Sequence, residues 1–245
     1  MTNKVLLESH LGIGLNGPDV ETWTSQAAGS DVFSQLTEAD QPLYTLDAHL
    51  GHPAVSPDTT EFLEALSGTV GDITTSDLTL TVVAKHTLKT STRNHVRKTV
   101  NLFAGAQGYQ QYFAGAETPF SLIGDGVNRD AWMGAVISDL SIPMVITTQF
   151  NTTTNRTSQF TNGVEDEVTN SPAANLFQSL SDTLAKMRIG NDSNSTDGHL
   201  FYIALDDTLL NPLDVFNNLA PIYLNPFNGG GASSFQKLFL LLNDS

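Results

Sequence analysis

The chain has 245 residues, room for one large β unit or two smaller ones of about 120 residues each, and only 15% of it is charged. Its formal net charge of −15 repels phosphate backbones and argues against general nucleic-acid binding. With no cysteine, disulfides, thiolate metal sites and thiol catalysis are excluded together.

Hydrophobic residues still make up 40% of the chain, so the shortage of charge is filled by Thr, Ser, Asn and Gly on a folded, turn-rich protein. Residues 4–7 read as a short strand that leads into Gly12-Ile-Gly14-Leu-Asn-Gly17-Pro18. The spacing Gly12-x-Gly14-x-x-Gly17 spells a dinucleotide fingerprint. However, Glu8, Ser9 and His10 interrupt the strand that would have to feed it, and no βαβ alternation follows. It reads as a turn. Pro42, Pro53 and Pro57 then punctuate short extended pieces such as residues 43–46. Within this stretch Asp47, His49 and His52 form a D-x-H-x-x-H group of a composition that zinc uses. On a strand, though, His49 and His52 would point to opposite faces. Residues 60–66 are expected to form a short helix, capped by Asp58 or Thr59 with Glu61 in its first turn.

The most distinctive segment is 85–98. It carries Lys85, Lys89, Arg93, Arg97 and Lys98, five of the eleven Lys and Arg, after 84 residues that hold twelve carboxylates and the single base Lys4. Apolar residues alternate with polar ones over 77–103, which predicts a long hairpin turning near Thr92. Its polar face would gather Lys85, Lys89, Arg93 and Arg97. Like charges so placed cost roughly 0.2–1 kcal/mol per pair unless a negative surface answers them. The five bases are therefore the candidate partner-binding site, and the candidate partner is an acidic neighbouring surface, including another copy of this chain.

Further strands are expected at 120–123, 135–137 and 143–150, with a Thr/Asn-rich loop over 151–163. Residues 171–189 carry the best helical pattern: Ser171 as cap, Pro172 in the first position, apolar Leu176, Phe177, Leu180, Leu184 and Met187, and Gly190 as stop. Asp192, Asn194 and Asp197 before Gly198 resemble a calcium loop that lacks its closing Glu, and Asp125, Asn128 and Asp130 make a looser group of the same kind. They are the metal candidates, and calcium is the one cofactor considered. A strand at 199–205, proline-broken loops around Pro212, Pro221 and Pro226, and a strand at 235–242 close the chain. Leu66-Ser-Gly-Thr-Val70 and Leu180-Ser-Asp-Thr-Leu184 match at an offset of 114, a faint sign of duplicated halves, 1–125 and 126–245, within one β-rich unit. No G-x-S-x-G elbow and no P-loop occurs. No stretch is long and apolar enough to span a membrane, and residues 1–12 have no apolar signal region.

These features predict a mainly β, jelly-roll-like sandwich, or a double jelly roll if duplicated, with one or two inserted helices. They favour a non-enzymatic, self-assembling structural subunit. The expected form is a viral capsid or other virion component, made in the host cytoplasm and contacting itself and other virion proteins. The alternative is a carbohydrate- or calcium-binding β module using Trp23, Trp132, Tyr109 and Tyr112. A metal-dependent hydrolase built on Asp47, His49 and His52 ranks third.

Overall fold

Period-two alternation governs most of this chain, and strands form almost wherever it occurs. The computed structural model describes residues 3–58, 60–73, 77–86, 93–99, 107–114, 118–125, 129–137, 139–154, 156–166, 185–190 and 198–226. The strands are β1 (Asn3–Glu8), β2 (Ile13–Asn16), β3 (Asp19–Thr24), β4 (Val32–Ser34), β5 (Leu43–His49), β6 (His52–Ser56), β7 (Phe62–Ala65), β8 (Leu78–His86) and β9 (Arg93–Thr99). They continue as β10 (Gln107–Ala114), β11 (Thr118–Asp125), β12 (Arg129–Met133), β13 (Met144–Asn151), β14 (Arg156–Thr161), β15 (Val164–Glu165), β16 (Arg188–Gly190) and β17 (Gly198–Asp206), followed by helix α1 (Pro212–Tyr223).

Antiparallel pairing links all of these strands into one sheet that doubles over on itself as a sandwich. One layer runs β12-β11-β10-β9-β16-β7-β4-β3. The other runs β14-β13-β8-β17, with β1 and β6 both on the far edge of β17. Between the layers lie Trp23, Phe33, Leu63, Leu80, Val82, Val96, Ile189 and Ile203, all buried. Each large apolar side chain so buried contributes about 1.5–3 kcal/mol. Toward β11 and β14 this interior turns polar. Gln111 Nε2 donates to Thr148 Oγ1 across the layers at 2.9 Å, and Ser121 Oγ donates to Gln159 Oε1 at 2.5 Å. The outer face of the second layer is covered by α1, whose Val215, Leu219 and Tyr223 pack on Leu6, Val83, Val145 and Phe201.

The mainly β sandwich agrees with the sequence expectation; several elements do not. Strands β8 and β9 are not a hairpin. Both edges of β8 are taken by β13 and β17, and both edges of β9 by β10 and β16. The two strands face each other across the core, where His86 Nε2 and His95 Nε2 approach to 2.9 Å. Residues 62–65 are strand β7 rather than helix. The expected local turn does form, with Asp58 N donating to Glu61 Oε2, but Leu63 and Ala65 then point inward while Phe62 and Glu64 point outward. Arg188–Gly190 is strand β16, so the end of the expected helix over 171–189 is extended. Residues 171–184, and with them the second copy of the repeated pentapeptide, lie outside the described residues. So do Gly229 to Gly231 and residues 235–242.

The polar stretch 151–163 contains β14 rather than a loop: Gln159 is buried and donates to Pro119 O and Asp166 Oδ2, and Thr157 is buried with its backbone N–H on Asp130 Oδ2. It ends in an Asn162-Gly163 hairpin, both residues at positive φ. No strand forms over 135–137; the strand there is β12, six residues earlier in the chain. Finally, the proline-broken region is helix α1. Asn211 caps it through Leu213 N, and Pro212 occupies its first turn, where a missing N–H costs nothing. Gly12, Gly14 and Gly17 lie in and before the β2–β3 hairpin, with no helix to receive a pyrophosphate.

Candidate ligand-binding face

Adjacent strands of the first layer place one row of side chains in register. Ser34 on β4 is opposite Glu64 on β7, Glu64 opposite Arg188 on β16, and Arg188 opposite Arg97 on β9. The row continues through Gln110 on β10, Leu122 on β11 and Ala131 on β12. Their neighbours Leu63, Ala65, Ile189, Val96, Tyr109 and Ile123 belong to the core, so alternation turns this row outward. It is buried at Gln110 and Leu122 and open at the Glu64–Arg188–Arg97 end.

That open end is a depression of about 370 Å³ lined by Glu64, Arg97, Thr99, Ala185, Lys186 and Arg188. Glu64 bridges two of the cations. Arg188 Nε donates to its Oε2 at 2.6 Å, and Lys186 Nζ lies 3.1 Å from its Oε1. Burial alone would raise the Glu64 carboxyl, but the hydrogen bonds from Arg188 and Lys186 outweigh it and hold the carboxyl below its ordinary value. Glu64 is therefore ionised at neutral pH. The Arg188 guanidinium also lies 4.7 Å over the Phe62 ring, which together with Glu64 fixes its plane. Among the described residues, three cations and one carboxylate line the depression.

The five bases singled out in the sequence do not share one surface. Lys85 projects from the outer side of the second layer, where its Nζ donates to Ala48 O at 2.8 Å. Arg97 projects from the outer side of the first layer, into the depression. Lys98, one residue on, points inward. It is only 2% exposed, ion-paired with Asp72 at 2.8 Å, and donates to Ala185 O at 2.9 Å and to Gly68 O. Lys89 and the side chain of Arg93 lie outside the described residues.

The β5–β6 hairpin sets His49 directly opposite His52, not on the opposite faces expected for a single strand, but the group is not assembled as a site. Asp47 Oδ1 accepts from Gly51 N, while His52 is buried with Nε2 2.8 Å from Asn225 O. Among the described residues no group of three or more His, Asp or Glu is placed to hold a metal. Asp192, Asn194, Asp197 and Asn128 lie outside them, and Asp130 is buried with its Oδ2 accepting from Thr157 N. Of the candidate sugar-stacking aromatics, Trp23, Tyr109 and Trp132 are core residues. Tyr112 alone faces outward, its ring 4.7 Å from that of Phe120 on the same face of the sheet. Lys186 and Arg188 were missed because Lys186-Met-Arg188-Ile189 continues a helical pattern; its polar–apolar alternation was the signal for a strand.

No protein family and no curated protein matches the chain in sequence. Solved structures do match in fold. The binding domain of Paraclostridial mosquitocidal protein 1 superposes with a TM-score of 0.62 at 11% identity, over 88% of this chain and 51% of that one. The ligand-binding domain of botulinum neurotoxin serotype D, solved with N-acetylneuraminic acid, gives 0.61 at 7% identity over 88% and 50%. The CBM40 of Ruminococcus gnavus IT-sialidase, bound to α2,3-sialyllactose, gives 0.52 at 12% identity over 67% and 94%. The chain thus spans about half the length of the two toxin domains. These neighbours correct the expectation of a viral capsid or other virion component. Scarce charge, Thr/Asn-rich turns and a large antiparallel sandwich belong to this architecture as a whole, so they did not discriminate a coat protein from a ligand-binding domain.

Proposed function

We propose that the chain is a carbohydrate-binding β-sandwich module. The observation that carries this reading is the shared sandwich of two domains whose structures hold N-acetylneuraminic acid and α2,3-sialyllactose. The outward row on the first layer adds local support. A polar, hydrogen-bonding depression of about 370 Å³ on a rigid sheet has the size range and chemistry of a small-ligand site. Four of its lining residues, Glu64, Arg97, Thr99 and Arg188, are held by strands β7, β9 and β16, which limits the ordering entropy lost when a ligand docks.

The test is direct. Fluorescently labelled protein applied to an array of neutral and carboxylate-bearing glycans should give saturable, glycan-selective binding that free glycan competes away. Absence of binding to every glycan class on the array would overturn the reading.

A further inference from the structure

We infer that a second depression, between the start of β1, the β3–β4 turn and the turn after β7, binds a neutral saccharide whose hydroxyl groups donate to the Asp31 carboxylate. This rests on the carbohydrate-binding reading and names a ligand class and the residues that would recognise it.

The depression measures about 360 Å³, within the range of small-ligand sites, and its polar lining includes Asn3, Lys4, Asp31 and Thr69. It shares no residue with the depression between β7, β16 and β9. Three local departures from regular backbone converge on it. Strand β1 bulges at Lys4: Asn3 pairs with Asp206 and Val5 with Leu205. Consecutive strand residues ordinarily point to opposite faces, and a bulge re-aims them, so Asn3 and Lys4 both line the depression. In the β3–β4 turn Ser30 takes a φ of 47°, a strained value for a residue with a side chain, immediately before Asp31. Gly71, in the turn after β7, has a φ of +72°, and a Cβ there would stand 2.6 Å from Tyr109 Oη.

Both turns are tied down. Tyr109 Oη donates to Gly71 O at 2.9 Å and Lys98 Nζ to Gly68 O, while Ser25 N donates to Asp31 O at 2.8 Å. Leu66 N donates to Val32 O at 3.3 Å and so links one turn to the other. A ligand therefore meets walls that are already set.

A sugar hydroxyl both donates and accepts, so its site needs acceptors and donors side by side. Asp31 supplies two acceptor oxygens, and among the described residues its side chain has no hydrogen bond or ion pair. Gly29 leaves it room, since a Cβ at that position would stand 3.1 Å from Asp31 Oδ2. The Asn3 amide offers both donors and an acceptor, and the Thr69 hydroxyl does the same on a smaller scale. Lys4 Nζ lies 3.2 Å from Asp207 Oδ2 and carries three protons, more than that one pair uses. An anionic ligand would have to approach Asp31 on a chain of net charge −15, which favours a neutral one.

Titration calorimetry on the intact chain tests this with lactose, maltotriose, cellotriose, mannotriose and 3′-sialyllactose. Wild type should bind at least one of the four neutral sugars. Asp31→Asn should weaken that binding about tenfold to a hundredfold, the loss expected for a charged hydrogen-bond acceptor. Ala28→Trp, at an exposed position in the lining, should abolish it by filling the space. Asp214→Asn, on the exposed first turn of α1, should bind as wild type does. Circular dichroism should be unchanged in all three.

Silence toward all four neutral sugars would overturn the inference, with or without binding of 3′-sialyllactose, and that result needs no variant to fold. So would neutral-sugar binding that survives both Asp31→Asn and Ala28→Trp. Either outcome leaves the carbohydrate-binding reading in place as long as some glycan on the array is bound, whereas silence across the whole array removes that reading itself.

Discussion

Replacing Lys98 with Met tests most sharply which side of β9 faces the core. The Lys98 ammonium is 2% exposed and makes an ion pair with Asp72 Oδ1 at 2.8 Å, together with hydrogen bonds to Ala185 O and Gly68 O. Met fills similar volume but leaves a carboxylate and two carbonyls without that donor. Removing one partner of a fully buried pair costs about 3–5 kcal/mol. Asp72 retains 23% exposure and so recovers some hydration, which places Lys98→Met near the lower end, about 3 kcal/mol. In a chain of this size that lowers Tm by about 6–12 °C. Asp72→Asn should cost less, because the ammonium keeps its two carbonyl partners. In the double variant the costs should fall short of additive by about 1–2 kcal/mol. Both tryptophans, Trp23 and Trp132, are buried, so urea unfolding followed by their fluorescence reports the global transition. A Lys98→Met protein within about 0.5 kcal/mol of wild type would mean that the ammonium is solvated, and the inward assignment of Lys98 would fall.

Two further perturbations probe the frame around the site. Burial lifts the Glu8 carboxyl from its ordinary 4.5 to about 7. His10 Nε2, 3.5 Å away, has its own pKa pushed down by burial and by His52, so it supplies little counter-charge in that window. The folded state therefore holds a proton on Glu8 that the unfolded chain releases. This stability is fully present below about pH 4.5 and is lost as pH rises to about 7, by about 3 kcal/mol at most. Glu8→Gln should match wild type near pH 4.5 and melt higher at pH 8; parallel melting curves across that range would contradict the assignment. Gly190 closes β16 at a φ of +89°, where an added Cβ would stand 2.7 Å from Glu61 O. Gly190→Ala should cost more than about 1 kcal/mol, read as a lower urea midpoint. Unchanged stability would show that the β16–β7 register is looser than described.

The fold class was legible because alternation is local. Alternation over 78–86 and the apolar run 199–205 each announce a strand, and both are central strands of the second layer, although 78–86 was expected to have one polar face and is buried on both. Errors arose where local signals were honest but incomplete. Asp58 and Glu61 do form the turn expected of a helix start, yet Leu63 and Ala65 gain more from facing the core as a strand. Pro212 and Pro221 read as breakers, but Pro212 is in the first turn, and Val215, Leu219 and Tyr223 recur at every fourth position to seat the helix on the sheet. The stretch 151–163 was judged too polar to pack. Its Gln159 packs because the facing residues Ser121 and Asp166 are polar too, Thr157 is tied to Asp130 through its backbone N–H, and no composition of one segment reveals its partner's.

The site differs in kind from the fold, because its parts are brought together only by strand order. Like-charge crowding within 85–98 was the signal read from the sequence. Within 85–98 the bases turn out to be divided between two layers and between inside and outside. The true opposition is Arg97 with Arg188, ninety-one positions apart, with Glu64 from a third strand beside them. Alternation could have shown that Arg97 and Lys98 cannot share a face, since neighbours on a strand point oppositely. It could not have shown that β16 inserts between β7 and β9. That insertion gives the depression its balance of charge.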